Sequence, residues 1–118
     1  MEVTMMYHPA CSKTPRARDF LANEEVKERN LVEEMLSAEE ILEIASSLGL
    51  KVQDLLRPSS PVYQERHEEL YKMAEAELSA LMATEPTLVK RPIVKTDRGY
   101  VIGMDEAKIT ELLRATKE

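Results

Sequence analysis

The turn between the first strand and the first helix constrains this chain more than any other stretch. Val3-Thr4-Met5-Met6-Tyr7 is apolar and strand-like and runs straight into His8-Pro9-Ala10-Cys11-Ser12-Lys13-Thr14-Pro15. A helical pattern carrying Ala17, Phe20 and Leu21 follows, and Glu28-Arg29-Asn30-Leu31-Val32 then reads as a short second strand. Strand, helix and strand in close succession predict two parallel strands joined by a crossover. The first strand is expected over roughly residues 2–8 and the helix over about residues 13–23. Ser12 is placed to cap that helix, and Pro15 falls in its first turn, where a missing N–H costs little.

The middle of the chain is helical. Ser37 and Glu40 have the spacing of a capping box, Ile41, Leu42, Ile44, Ala45 and Leu48 supply an apolar face, and Gly49 is the stop. Val52–Arg57 reads as one further helical turn ending before Pro58. Ser60-Pro61 has the pattern of a cap followed by a first-turn proline. Val62, Tyr63, Leu70, Tyr71, Ala74, Leu78 and Leu81 then recur at helical spacings over two helices, closed by Pro86. Pro92–Thr96 and Tyr100–Ile102 are β-rich and flank Asp97-Arg98-Gly99, a hairpin signal. Asp105 is expected to cap a last helix that buries Ile109, Leu112 and Leu113. The plan is β-α-β, a helical insertion, then β-β-α: an α/β fold whose closing hairpin is antiparallel.

A chain of 118 residues is sized for one core. With 22 acidic against 16 basic residues, net charge −6 and no Lys/Arg run, direct nucleic-acid binding is not expected. No stretch is long and apolar enough for a membrane span, and the first residues do not read as a signal peptide. One cysteine cannot form an internal disulfide, so a disulfide-stapled secreted domain is excluded and the cytoplasm is the expected compartment.

Cys11 sits where a helix N-terminus would favour its thiolate, with His8 and Lys13 close in sequence. The alternative is a small buried hydrophobe, but a polar strand-to-helix turn is a poor place for core packing. His8 either lowers the thiol's pKa or merely ends the strand. Ser12, Lys13 and Thr14 either contact an anion beside the sulfur or form a solvated first turn. Arg57 and Arg91 each precede a proline, and a guanidinium presents a fixed fork to an oxyanion; each could equally be a surface or salt-bridge residue. Arg91-Pro92 is a candidate cis peptide bond. The methionines read as core filling, and the paired glutamates form solvated faces with no metal-ligand grouping.

Taken together, Tyr7-His8-Pro9-Ala10-Cys11-Ser12-Lys13, Leu55-Leu56-Arg57-Pro58, Arg91-Pro92-Ile93-Val94 and Val101-Ile102-Gly103-Met104-Asp105-Glu106 resemble the glutaredoxin-type arsenate reductase family. That family also contains the Spx-type regulators. The resemblance spans essentially the whole chain, with the motifs in the same order. It implies one thioredoxin-like (glutaredoxin-like) domain over residues 1–118, a mixed sheet with a helical insertion at about residues 37–86 between its βαβ and ββα halves. It also implies Pro92 as a cis proline facing Cys11, Cys11 as nucleophile with His8 near it, and Arg57 and Arg91 binding and polarising the oxyanion.

The reaction so implied is attack of a thiolate on pentavalent arsenic, with glutathione as co-substrate and glutaredoxin as partner, and with no bound cofactor or metal. Two positions depart from the pattern. Met104 stands where the well-studied arsenate reductases carry a further arginine, and Thr14 where redox-active Spx proteins carry a second cysteine. The ending Val-Ile-Gly-Met-Asp-Glu looks closer to the Spx-like side, which implies as alternative a regulator that binds RNA polymerase without catalysis.

Overall fold

In a computed structural model of the chain, which describes residues 2–117, the run Val3–Tyr7 is strand β1. Val3, Met5 and Met6 are all buried, as a strand covered on both faces requires. β1 lies inside a four-stranded sheet of order β2-β1-β3-β4, with β2 at Val26–Asn30, β3 at Ile93–Thr96 and β4 at Gly99–Ile102. It pairs parallel to β2, with Val3 opposite Val26, and antiparallel to β3, with Met5 opposite Val94. β3 and β4 form the antiparallel hairpin. This is the mixed thioredoxin-like sheet expected from the sequence.

The chain divides into two compact units, Met1–Glu34 with Arg91–Glu118, and Met35–Lys90. The first holds the sheet, helix α1 (Thr14–Phe20) and the last helix, α5 (Glu106–Lys117). Its core is Val3, Met5, Ala17, Leu21, Val94, Val101 and Ile109. The Asp105 carboxylate accepts the Lys108 N–H at 3.1 Å and caps α5 as expected.

Four local readings in this unit need correction. Ser12 does not cap α1: the cap position falls on Lys13, already in helical conformation, with no side-chain bond, and the Thr14 N–H goes to the Cys11 carbonyl at 3.3 Å. α1 also stops at Phe20, because Ala22 and Glu24 donate to Asp19 and Leu21 in tight turns that lead the chain toward β2. β2 begins and ends two residues early. Val26 packs against the core, and the Asn30 side chain accepts the Val32 N–H at 2.9 Å, turning the chain out of the strand. In the hairpin, Gly99 pairs with Thr96 and opens β4, leaving only Asp97 and Arg98 in the loop.

The second unit is helical. α2 (Ala38–Leu48) starts at a complete capping box: Ser37 Oγ accepts the Glu40 N–H, and Glu40 Oε1 accepts the Ser37 N–H, both at 3.1 Å. It ends at Gly49, whose φ of +68° is the left-handed C-terminal stop. A 3-10 turn at Val52–Leu55, α3 (Pro61–Lys72), α4 (Glu75–Thr84) and a second 3-10 turn at Pro86–Leu88 follow. Ile41, Ile44, Leu70, Leu78 and Met82 fill the interior, while Leu42 and Tyr71, both expected on apolar faces, are exposed. Ser60 precedes Pro61 as expected but makes no cap. Its buried hydroxyl pairs with that of Thr87 at 3.0 Å, which satisfies it inside the unit.

Candidate active site

The sole cysteine is held by two successive turns at the end of β1. The Cys11 N–H donates to the His8 carbonyl at 2.9 Å, and the Cys11 carbonyl accepts the Thr14 N–H at 3.3 Å. The sulfur is half-buried and unbridged. His8 shapes this turn from both ends, because its Nδ1 also accepts the Ala10 N–H at 3.0 Å. That nitrogen presents its lone pair to the backbone it supports.

Three donors surround the sulfur. Burial pushes the Cys11 thiol up, but the Lys13 backbone N–H, the hydrogen bond and positive charge of Arg91, and the Thr14 hydroxyl together outweigh it. The net result is a thiol below its ordinary range. Thr14 is itself buried, and its hydroxyl donates to the His8 carbonyl over a long 3.4 Å contact.

Arg91 is the unusual member. It is only 6% exposed, and its Nε and Nη1 are buried without a hydrogen-bond partner. A buried guanidinium with orphaned donors costs on the order of several kcal/mol unless an anion answers it. The donor set matches an oxyanion brought against the thiolate: a cation, vacant N–H groups and a nucleophile in one place. The Arg91–Pro92 peptide bond is cis. Pro92 is buried, and its carbonyl accepts the Gly103 N–H at 2.8 Å, which ties the start of β3 to the segment that carries Met104. Met104 packs against the core of the first unit.

The structure thus brings Cys11, Thr14 and Arg91 together. It uses Lys13 through its backbone rather than its ammonium, which sequence reading had no signal to distinguish; Ser12 is exposed. Arg57 belongs to the second unit, where its N–H donates to the Leu88 carbonyl at 2.8 Å and its Nη1 to the Thr87 carbonyl at 3.2 Å. Among the described residues, no group of three or more His, Cys, Asp or Glu side chains is placed to hold a metal, and no helix is long and apolar enough to cross a membrane.

Comparison with known proteins gives this geometry a context. The chain is 29% identical over 113 residues to the global transcriptional regulator Spx of Streptococcus pyogenes, a match covering 94% of this chain and 84% of the regulator. Among solved structures, an ArsC family related protein from Bacteroides fragilis superposes with a TM-score of 0.84 at 33% identity, covering 95% of this chain and 99% of that one. An arsenate reductase from Vibrio cholerae superposes with a TM-score of 0.80 at 27% identity, over 95% and 98% of the two chains. The model of the ArsC family matches residues 7–112, and the chain belongs to that family.

Proposed function

We propose that this protein is a thiol-dependent oxidoreductase whose single nucleophile, Cys11, reduces arsenate or a related oxyanion or mixed disulfide with electrons from glutathione and glutaredoxin. The observation that carries this reading is Arg91, buried beside the sulfur with two unanswered donors. The thiolate attacks arsenic(V), an oxygen leaves as hydroxide and becomes water, and a cysteine–arsenate adduct forms. Two glutathione thiols then supply two electrons, arsenic leaves in the trivalent state, and one disulfide is produced. The external thiol is needed because the chain has no second cysteine. Arg91 offsets the repulsion between thiolate and oxyanion, Thr14 and the Lys13 amide hold the sulfur ionised, and His8 braces the turn. Ser12, Lys13 and Pro92 line the approach to the sulfur, and the family resemblance implies Arg57 as a further oxyanion-binding residue.

The test is arsenite production from arsenate, glutathione and glutaredoxin. Turnover by the wild-type protein and its loss in Cys11→Ser support the reading, and equal rates in both overturn it. Arg57→Ala is expected to raise the KM for arsenate.

The likeness to Spx supports a second reading, a regulator that binds RNA polymerase. Capture of the carboxy-terminal domain of the polymerase's α polypeptide at micromolar concentration, undiminished in Cys11→Ser, favours it over catalysis.

A further inference from the structure

The groups around Cys11 are also those that a thiolate needs to break an O–O bond. Ionisation alone does not make a thiol fast with peroxides, because the departing oxygen must be stabilised as it gains charge. Here the sulfur is met by a hydroxyl from Thr14, a backbone N–H from Lys13 and the Arg91 guanidinium. The Nε and Nη1 groups of Arg91 are buried and unpartnered, donors available to an incoming oxygen. A hydroxyl whose proton is engaged can still accept, so a peroxide O–H can donate to the Thr14 oxygen while Arg91 faces the oxygen that leaves. The sulfur is half-buried, which admits a molecule of two or a few heavy atoms more readily than a large one.

We propose that the Cys11–Thr14–Arg91 cluster reduces hydrogen peroxide, a further activity that rests on the reading of Cys11 as the reactive thiol. The sulfur's electron pair attacks one peroxide oxygen and the O–O bond breaks. The distal oxygen departs as hydroxide, which takes a proton from solvent, and the sulfur is left as a sulfenic acid. With no second cysteine in the chain, glutathione resolves it: one glutathione forms the mixed disulfide and releases water, and a second frees Cys11 as glutathione disulfide. One peroxide and two glutathiones become two waters and one disulfide.

The experiment compares two second-order rate constants on the full chain at one pH, for hydrogen peroxide and for iodoacetamide, each divided by that of free glutathione corrected for its thiolate fraction. Iodoacetamide reports thiolate alone; peroxide reports thiolate plus stabilisation of the leaving oxygen. An enhancement for peroxide at least about tenfold above that for iodoacetamide, with dimedone trapping the sulfenic acid on Cys11, supports the proposal. Equal enhancements overturn it while leaving the arsenate reading intact. Slow reaction with both reagents overturns the two together. Thr14→Val is expected to lower the peroxide constant about tenfold or more with a smaller change toward iodoacetamide, and Thr14→Ser to restore it. Because the wild-type ratio needs no variant, loss of folding in Thr14→Val leaves the proposal decidable.

Discussion

At the scale of single residues, the pairing of Cys11 with Arg91 makes each group depend on the other's charge. The guanidinium holds the thiol below its ordinary range, and the thiolate answers a cation that is otherwise buried with orphaned donors. Alkylation of Cys11 followed against pH is therefore expected to show a midpoint below that of a free cysteine, and Arg91→Met to move it upward; an unchanged midpoint would separate the two residues. The same shift sets a pH dependence of stability. A thiol lowered on folding adds stability that is complete above the unfolded thiol's pKa and disappears as pH falls through the folded value. Urea unfolding of wild type and Cys11→Ser should thus diverge as pH rises into the ordinary thiol range, wild type gaining, and run parallel at acid pH. Cys11, Thr14 and Arg91 were all legible as candidates, because a lone thiol in a turn and an arginine before a proline are visible in a string of letters. The Lys13 amide and the orphaned donors of Arg91 were not, since neither a backbone N–H nor an unmet hydrogen bond has a sequence signature.

At the scale of elements, local signals succeeded where the interaction itself was local. The Ser37–Glu40 box spans three residues and forms as written, and Gly49 takes the left-handed conformation that its place after α2 demands. Ser37→Ala removes the acceptor for the Glu40 N–H and is expected to cost about 1 kcal/mol in unfolding free energy. Gly49→Ala is expected to cost a similar amount, roughly 1–2 kcal/mol, through φ alone, because no atom lies within 4 Å of the added Cβ. Signals failed where a longer-range partner competed. Ser60 has the letters of a cap, yet its hydroxyl turns to Thr87, 27 residues away. Leu42 and Tyr71 have helical spacing, but α2 buries Ile41, Ile44 and Ala45, and α3 buries Leu70 alone. Periodicity marks an apolar stripe without saying how wide a neighbour will cover it.

At the scale of the whole molecule, element order was sufficient for topology because few arrangements satisfy it. A βαβ start forces β1 and β2 parallel, and a short hairpin forces β3 and β4 antiparallel; the remaining choice, β3 beside β1, puts the most apolar strands at the centre. α5 closes the first unit through Ile109, which is fully buried in the cluster with Val3, Met5, Val94 and Val101. Ile109→Ala leaves a cavity that the paired strands cannot collapse to fill, and the expected loss is about 2–5 kcal/mol in urea unfolding. Because Cys11 owes its lowered pKa to donors from both halves of this unit, Lys13 and Thr14 from one and Arg91 from the other, the thiol reports on the fold. In native buffer the variant should alkylate at the wild-type midpoint, since Ile109 is not among the groups facing the sulfur. Under urea, its alkylation midpoint should rise to that of a free cysteine at lower denaturant than in wild type, tracking the loss of secondary structure. A midpoint that rose well before the helical signal fell would mean that the donors around sulfur part before the sheet does.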